Sequence, residues 1–164
     1  MFNDPQMWET QMLRIAVFGA LLMTSSVPAS AQVLWNGIKA GMSRADAMRA
    51  VPQLRAAEDG RSLIMEGVPV MGSSFKAFVN FEGEAVTSVA LVGSGPSFAD
   101  VSSGLTQKYG QPSAPRSCTS LGGGIRICNQ DWMGQLMKIS VMEMSKYERA
   151  SITVTYAPME KSML

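Results

Sequence analysis

The sequence predicts an α+β fold: an antiparallel sheet with two short helices on one face, in the order α-β-β-β-α-β-β-β. Three observations carry that prediction. Phe75 to Val92 reads as a β-hairpin, because Phe75, Ala77, Val79 and Phe81 alternate with Lys76, Asn80 and Glu82, the period of a strand with one buried face. Ser-x-x-Asp pairs at Ser43/Asp46 and Ser97/Asp100 are helix N-terminal caps: the hydroxyl accepts from first-turn amides and the carboxylate suits the positive helix end. Pro52 and Pro112 close the two helical stretches.

The chain begins with a different kind of segment. Met12-Leu13-Arg14 leads into an apolar run from Ile15 to Met23 and then to Ala29-Ser30-Ala31-Gln32, the order of a secretory signal peptide cleaved after Ala31. Asp4 and Glu9 stand where positive charge is expected, so translation is predicted to start at Met12. The apolar run is too short to remain as a transmembrane anchor in the mature form. Residues 32–164 then make a single domain of 133 residues, long enough for its own core. Without Asp4, Glu9 and Arg14 its 13 Lys and Arg face 11 Asp and Glu, a balance of +2. That gives no electrostatic case for nucleic acid or anionic membrane. Histidine is absent from all 164 residues, which excludes Ser-His-Asp and Cys-His catalysis within the chain.

Val33 to Ser43 reads as an extended lead-in. The first helix is predicted over Arg44 to about Ala50, with Ala45, Met48 and Val51 as its apolar stripe. Glu58-Asp59-Gly60 is a turn, Ser62 to Glu66 a short strand, and Val68 to Met71 an extended continuation in which Pro69 marks an edge or a break. In the hairpin, a three-residue loop Glu82–Glu84 is preferred, because it sets Ala85, Thr87, Val89 and Leu91 opposite the odd positions of the first strand. A two-residue loop would put Val86, Ser88 and Ala90 there instead.

Gly93-Ser94-Gly95-Pro96 punctuates the chain, and the second helix runs from Phe98 to about Tyr109 with Phe98, Val101, Leu105 and Tyr109 on one stripe. Gly110 is its C-terminal cap. Strands follow at Arg116–Ser120, Ile125–Met133, Gln135–Met144 and Ala150–Tyr156, and a mobile tail is predicted from about residue 158. A reversal centred on Gly123 places Cys118 opposite Cys128 with both thiols on one side, so a cross-strand disulfide is predicted. Gly41, Ser43, Ala45 and Asp46 recur 54 residues later as Gly95, Ser97, Ala99 and Asp100. Internal duplication and convergent capping both account for that.

Gly37-Ile38-Lys39-Ala40-Gly41-Met42-Ser43, followed by a short helix ending at Val51-Pro52, resembles the opening of small bacterial envelope domains of the BamE (SmpA/OmlA) type. The helix-then-strands unit, present twice, is similar to the β-lactamase inhibitor protein fold, and Lys108-Tyr109-Gly110-Gln111-Pro112 resembles a helix end common in exported domains. The resemblance implies a non-catalytic, protein-binding envelope module.

Residue chemistry offers little against that. Asp46 and Asp100 are caps, and Glu82 and Glu84 flank a turn. An acid pair for hydrolysis could be assembled only in space, from Glu66, Asp131 and Glu143. Ser102-Ser103 with Lys108 lacks Ser-x-x-Lys spacing, and Gly122-Gly123-Gly124 has no following helix to cradle phosphate. Met133, Met137, Met142 and Met144 could supply thioethers to cuprous copper, but packing is the simpler explanation. Trp35 and Trp132 are candidate partner anchors or core residues. No catalytic residue, cofactor or metal ligand is assigned. The sequence thus predicts a periplasmic module with an envelope protein partner, or alternatively an enzyme inhibitor or a carrier of lipid or another small ligand.

Overall fold

The structure is a computed structural model and describes residues 32–159; the predicted leader, the Met12 start and the last five residues lie outside the described residues. One eight-stranded antiparallel sheet dominates it. The first half contributes β3 (Arg55–Ala56), β4 (Ser62–Val70), β5 (Ser73–Glu82) and β6 (Ala85–Gly93); the second contributes β7 (Ser117–Leu121), β8 (Ile125–Met133), β9 (Met137–Lys146) and β10 (Arg149–Pro158). Each half is a meander, and the two join last strand to last strand in the order β3-β4-β5-β6-β10-β9-β8-β7. Helix α1 (Arg44–Ala50) precedes the first meander and α2 (Phe98–Tyr109) the second. The lead-in expected to be extended folds on itself as a small hairpin, β1 (Val33–Trp35) with β2 (Ile38–Lys39). The α+β class stands, but the predicted element order does not: each helix is followed by four strands rather than three. In the first half the extra strand is the two-residue β3, too short to leave a period in the sequence; in the second half all four segments are read from the sequence, and the three-strand order undercounts them.

Both helices have the predicted bounds, set by local chemistry. Ser43 and Ser97 accept from the backbone N–H of Asp46 and Asp100, and at α2 the Asp100 carboxylate also accepts from the Ser97 N–H to complete a capping box. The buried stripe of α2 is Phe98, Val101 and Leu105, with Tyr109 packed against the core, as the spacing predicts. The stripe of α1 is met only at Val51. Ala47 is buried with it while Ala45 and Met48 are exposed, because a seven-residue helix is oriented by where its ends are tied rather than by a weak apolar pattern.

Inward residues of the strands, among them Leu63, Phe75, Val79, Val89, Leu91, Trp132, Ile139, Val141, Ile152 and Val154, join Leu34, Ile38 and the helix stripes in one core cluster. Helices and β1–β2 therefore cover the same face. The glycine at the centre of that face makes room for a ring: Gly93 pairs with Phe75, and a Cβ on it would stand 2.6 Å from the ring.

The central hairpin corrects the preferred loop. Glu82 pairs with Ala85, so the loop has two residues, Gly83 and Glu84, with Gly83 at φ 57°. A bulge then shifts the register between Phe81↔Val86 and Asn80↔Ser88, leaving Thr87 as the extra residue. Beyond it odd positions face odd positions, Val79 with Val89 and Ala77 with Leu91. The bulge lets Val86, Val89 and Leu91 all point inward, which neither unbulged register allows. A second bulge, between Met65 and Val68, merges the two extended pieces around Gly67 into β4. Pro69 lies beyond the reach of β3, on a free edge. At the other end, β10 continues through Ala157 and Pro158, and the Met159 N–H donates to the Leu136 carbonyl, so the tail is held one residue past the predicted break.

Candidate functional site

The face of the sheet opposite the helices is uncovered among the described residues, and register fixes what it displays. Four rows cross the second half. Leu121, Ile125, Lys146 and Arg149 are aligned across β7 to β10; next come Thr119, Ile127, Met144 and Ser151; then Ser117, Asn129, Met142 and Thr153; then Asp131, Ser140 and Thr155. Leu121 is 50% and Met144 47% exposed, and Met142 is exposed beside them. Tyr147, at the tip of the β9–β10 hairpin, is 82% exposed and lies against Gly124 of the neighbouring tip. Ile125, Met144, Lys146, Arg149 and Ser151 border a hollow of about 270 Å³ on this face. Isolated surface apolar side chains are ordinary, whereas a contiguous apolar group framed by charge is a feature of interaction sites.

The electrostatics of this end are uneven. Arg116 is bonded to Glu143 (3.2 Å) and stacks on Phe98 (4.0 Å), and Lys138 is bonded to Asp131 (3.0 Å). Arg126, Lys146 and Arg149 have no carboxylate partner within salt-bridge distance among the described residues. Arg116, Glu143 and Arg126 lie on the helix side, and Lys138, Asp131, Lys146 and Arg149 on the open face. On that open face the first half has its cations paired. There Glu66 is shared by Lys76 (2.8 Å) and Arg55 (3.3 Å), and Phe78 is paired with the buried Ile64.

The predicted sulfur bridge is present: Cys118 and Cys128 are bonded, and Ser120↔Arg126, Thr119↔Ile127 and Cys118↔Cys128 are the pairs read from the sequence. The candidate carboxylates do not come together. Glu66 on β4 is four strand spacings from Glu143 on β9, about 19 Å at the usual spacing, and Asp131 lies on the face opposite Glu143. An acid pair at ~5–9.5 Å is therefore not formed by these three. The methionines separate as well: Met137 packs on the core side, while Met142 and Met144 point the other way. Trp132 is a core pillar, 1% exposed, its Nε1–H donating to the Gly110 carbonyl at the end of α2. Trp35 is half-buried and borders a groove with Lys108, Tyr109 and Tyr156.

Ser102 donates to the Gln130 side chain and so ties α2 to β8. Gly122–Gly124 forms a short 3-10 turn between β7 and β8. Ser-hydroxyl hydrogen bonds hold the Asp46 and Asp100 carboxyls below the usual range, as caps do. Burial, helped by the adjacent Tyr109, pushes the Tyr156 phenol up to about 12. No group of three or more Cys, Asp or Glu side chains suited to a metal ion occurs among the described residues.

Leu121, Ile125, Ile127 and Tyr147 were not candidate site residues by sequence. Alternation over Ile125–Met133 separates Ile125 and Ile127 from Cys128 and Trp132, but nothing local says which set meets the helix. Comparison of the chain with family models, with curated proteins and with solved structures finds no match in any of the three.

Proposed function

We propose that this chain is a non-catalytic protein-binding module of the bacterial cell envelope, exported to the periplasm by its 1–31 leader, and that the helix-free face of its second half docks an envelope protein. The observation that carries this reading is the group of exposed Leu121, Met142 and Met144 with half-buried Ile125 and Ile127 between them, bordered by Lys146 and Arg149, which have no carboxylate partner within salt-bridge distance among the described residues. A partner offering apolar side chains ringed by carboxylates would bury the group and neutralise the cations. The disulfide supports an oxidising compartment. The ligand-carrier alternative needs an enclosed apolar cavity, whereas the hollow beside Met144 lies on the exposed face, so a protein surface suits it better. The two meanders, each behind a Ser-capped helix and joined last strand to last strand, support reading the halves as copies of one unit.

The test places a photocrosslinking amino acid at Met144, Met142 or, as a control in the first-half turn, Glu58, and irradiates intact cells. One specific adduct from Met144 and Met142, absent from Glu58, is the expected result. Adducts from none of the three positions, or from all of them alike, overturn the reading. Mass spectrometry of the periplasmic fraction should find a mature N-terminus at Gln32; a chain retained with residues 1–31 overturns the export.

A further inference from the structure

The two edges of the sheet are built differently. At one, β3 has two residues, β4 is bulged at Gly67, Pro69 removes a donor, and Arg55, Arg61 and Glu66 add charge. These are the devices that keep edge strands from pairing with other chains. At the other, β7 is Ser-Cys-Thr-Ser-Leu, with no charge, no proline and an unbroken register to β8, and all five residues are exposed.

The spacing of the cysteines shows which backbone groups this edge offers. The Cα atoms of Cys118 and Cys128 are 4.0 Å apart, the close approach of a non-hydrogen-bonded antiparallel pair. Ser117, Thr119 and Leu121 therefore exchange the ladder bonds with β8, and the N–H and C=O of Cys118 and Ser120 point to the open side. Side chains add a second condition. Arg126 pairs with Ser120 on the helix-side face, has no carboxylate partner within salt-bridge distance among the described residues, and has only that small residue between it and the edge. Thr119 and Leu121 border the other face, with Leu121 beside Ile125.

We infer that β7 accepts an extended segment of a partner protein as a ninth strand, bonded to Cys118 and Ser120, with alternating acidic and apolar side chains: carboxylates toward Arg126, apolar groups beside Thr119 and Leu121. This rests on the protein-binding reading above but names a different surface, the edge, and the chemistry of the segment. A second copy of this chain is the poorer occupant. Antiparallel self-pairing through Cys118 and Ser120 sets Thr119 opposite its counterpart and offers Arg126 only the uncharged Ser-Cys-Thr-Ser-Leu of the other copy, with no carboxylate to neutralise it.

The test uses the whole mature chain and a fluorescein-labelled octapeptide of alternating valine and glutamate, with its valine–lysine counterpart as control. Anisotropy should show binding of the glutamate peptide only, weakened by salt and lowered about tenfold by Arg126→Glu. Amide exchange at Cys118 and Ser120 should slow when the peptide is bound. Ser120→Pro removes an outward donor but no bond to β8, so it should abolish binding while leaving the thermal melt near that of the wild type. If that variant does not fold, Arg126→Glu and the exchange data decide. Absence of binding at about 1 mM peptide, binding without protection of Cys118 and Ser120, or equal binding by folded Ser120→Pro overturns the proposal. So does sedimentation showing a wild-type dimer that Ser120→Pro makes monomeric, which assigns the edge to a second copy. If Met144 adducts persist while these results fail, only the edge claim falls; if both fail, the protein-binding reading falls with it.

Discussion

In the first half, the strand that leaves the hairpin loop at Ala85 is met at once by the backbone ahead of α1: the Gly41 N–H donates to the Val86 carbonyl, the Val86 N–H donates to the Met42 carbonyl, and Ser43 bridges Ala85. In the second half, the corresponding strand leaves its loop at Arg149 and meets β6 only from Ile152, opposite Gly93. Gly95–Ser97, which stand before α2 as Gly41–Ser43 stand before α1, line an opening of about 560 Å³ with Glu143, Glu148, Arg149 and Ala150. The same plan is thus closed by backbone pairing once and left open once. The difference starts at the bulge. Thr87 turns Val86 into the core, 2% exposed, whereas β9 and β10 pair without interruption and Ala150 faces solvent. The unbulged pair runs on past the core and carries Tyr147 with it, which is why the apolar and cationic end belongs to the second half.

If the second half relies on a few strong ties in place of that pairing, cutting them should cost most. Trp132→Ala removes a buried indole and its bond to the end of α2, and should lower unfolding free energy by about 3–5 kcal/mol in urea titrations. Removing the disulfide as Cys118→Ser with Cys128→Ser should cost roughly 3 kcal/mol. Amide exchange should then accelerate first in β7 and β8 while β4–β6 keep their protection; uniform acceleration would show that the halves do not differ in this way. The bulge gives the sharpest contrast: Val86→Ala should destabilise by about 2 kcal/mol, and Ala150→Val should change stability by no more than ~0.5 kcal/mol. Equal effects at these two sites would erase the distinction between closed and open ends.

The caps should give the smallest effects. Ser97→Ala should cost about 1 kcal/mol, and Ser43→Ala somewhat less because the Asp46 carboxylate does not accept from the Ser43 N–H. Both aspartates are held below the ordinary 3.8, first of all by their serine hydroxyls. Their contribution is therefore present above that value and is lost as pH falls through the folded-state value. Acid unfolding of Ser97→Ala should be less steep than that of the wild type over this range. An unchanged slope would show that the cap does not set the Asp100 carboxyl.

What could be read from the residues was local in the chain. Ser43 with Asp46, and Ser97 with Asp100, act over three positions, so both helix starts were legible, and Pro52 and Gly110 made the ends legible too. Cys118 and Cys128 flank a three-residue reversal, so a short loop alone dictated their pairing. The loop at Gly83–Glu84 failed by one residue, because periodicity shows which residues share a face but not where an extra residue is inserted to make Val86 share it. The stripe on α1 failed because Ala45, Ala47 and Met48 do not differ enough in apolar character to orient seven residues. The face was set instead by the pairing of Gly41 and Met42 with Val86, some forty positions away in the chain.

By itself, then, the order of residues determined two capped helices, the approximate extents of most strands, the sulfur bridge and the absence of histidine chemistry, since each depends on neighbours a few positions apart. Only the tertiary structure decided that β6 joins β10, that the first half closes and the second gapes, and that Ile127 and Met144 face outward while Trp132 faces in. Those choices depend on which surfaces, distant in the chain, exclude water together, and burial of that kind is a property of the assembled sheet rather than of any segment of it.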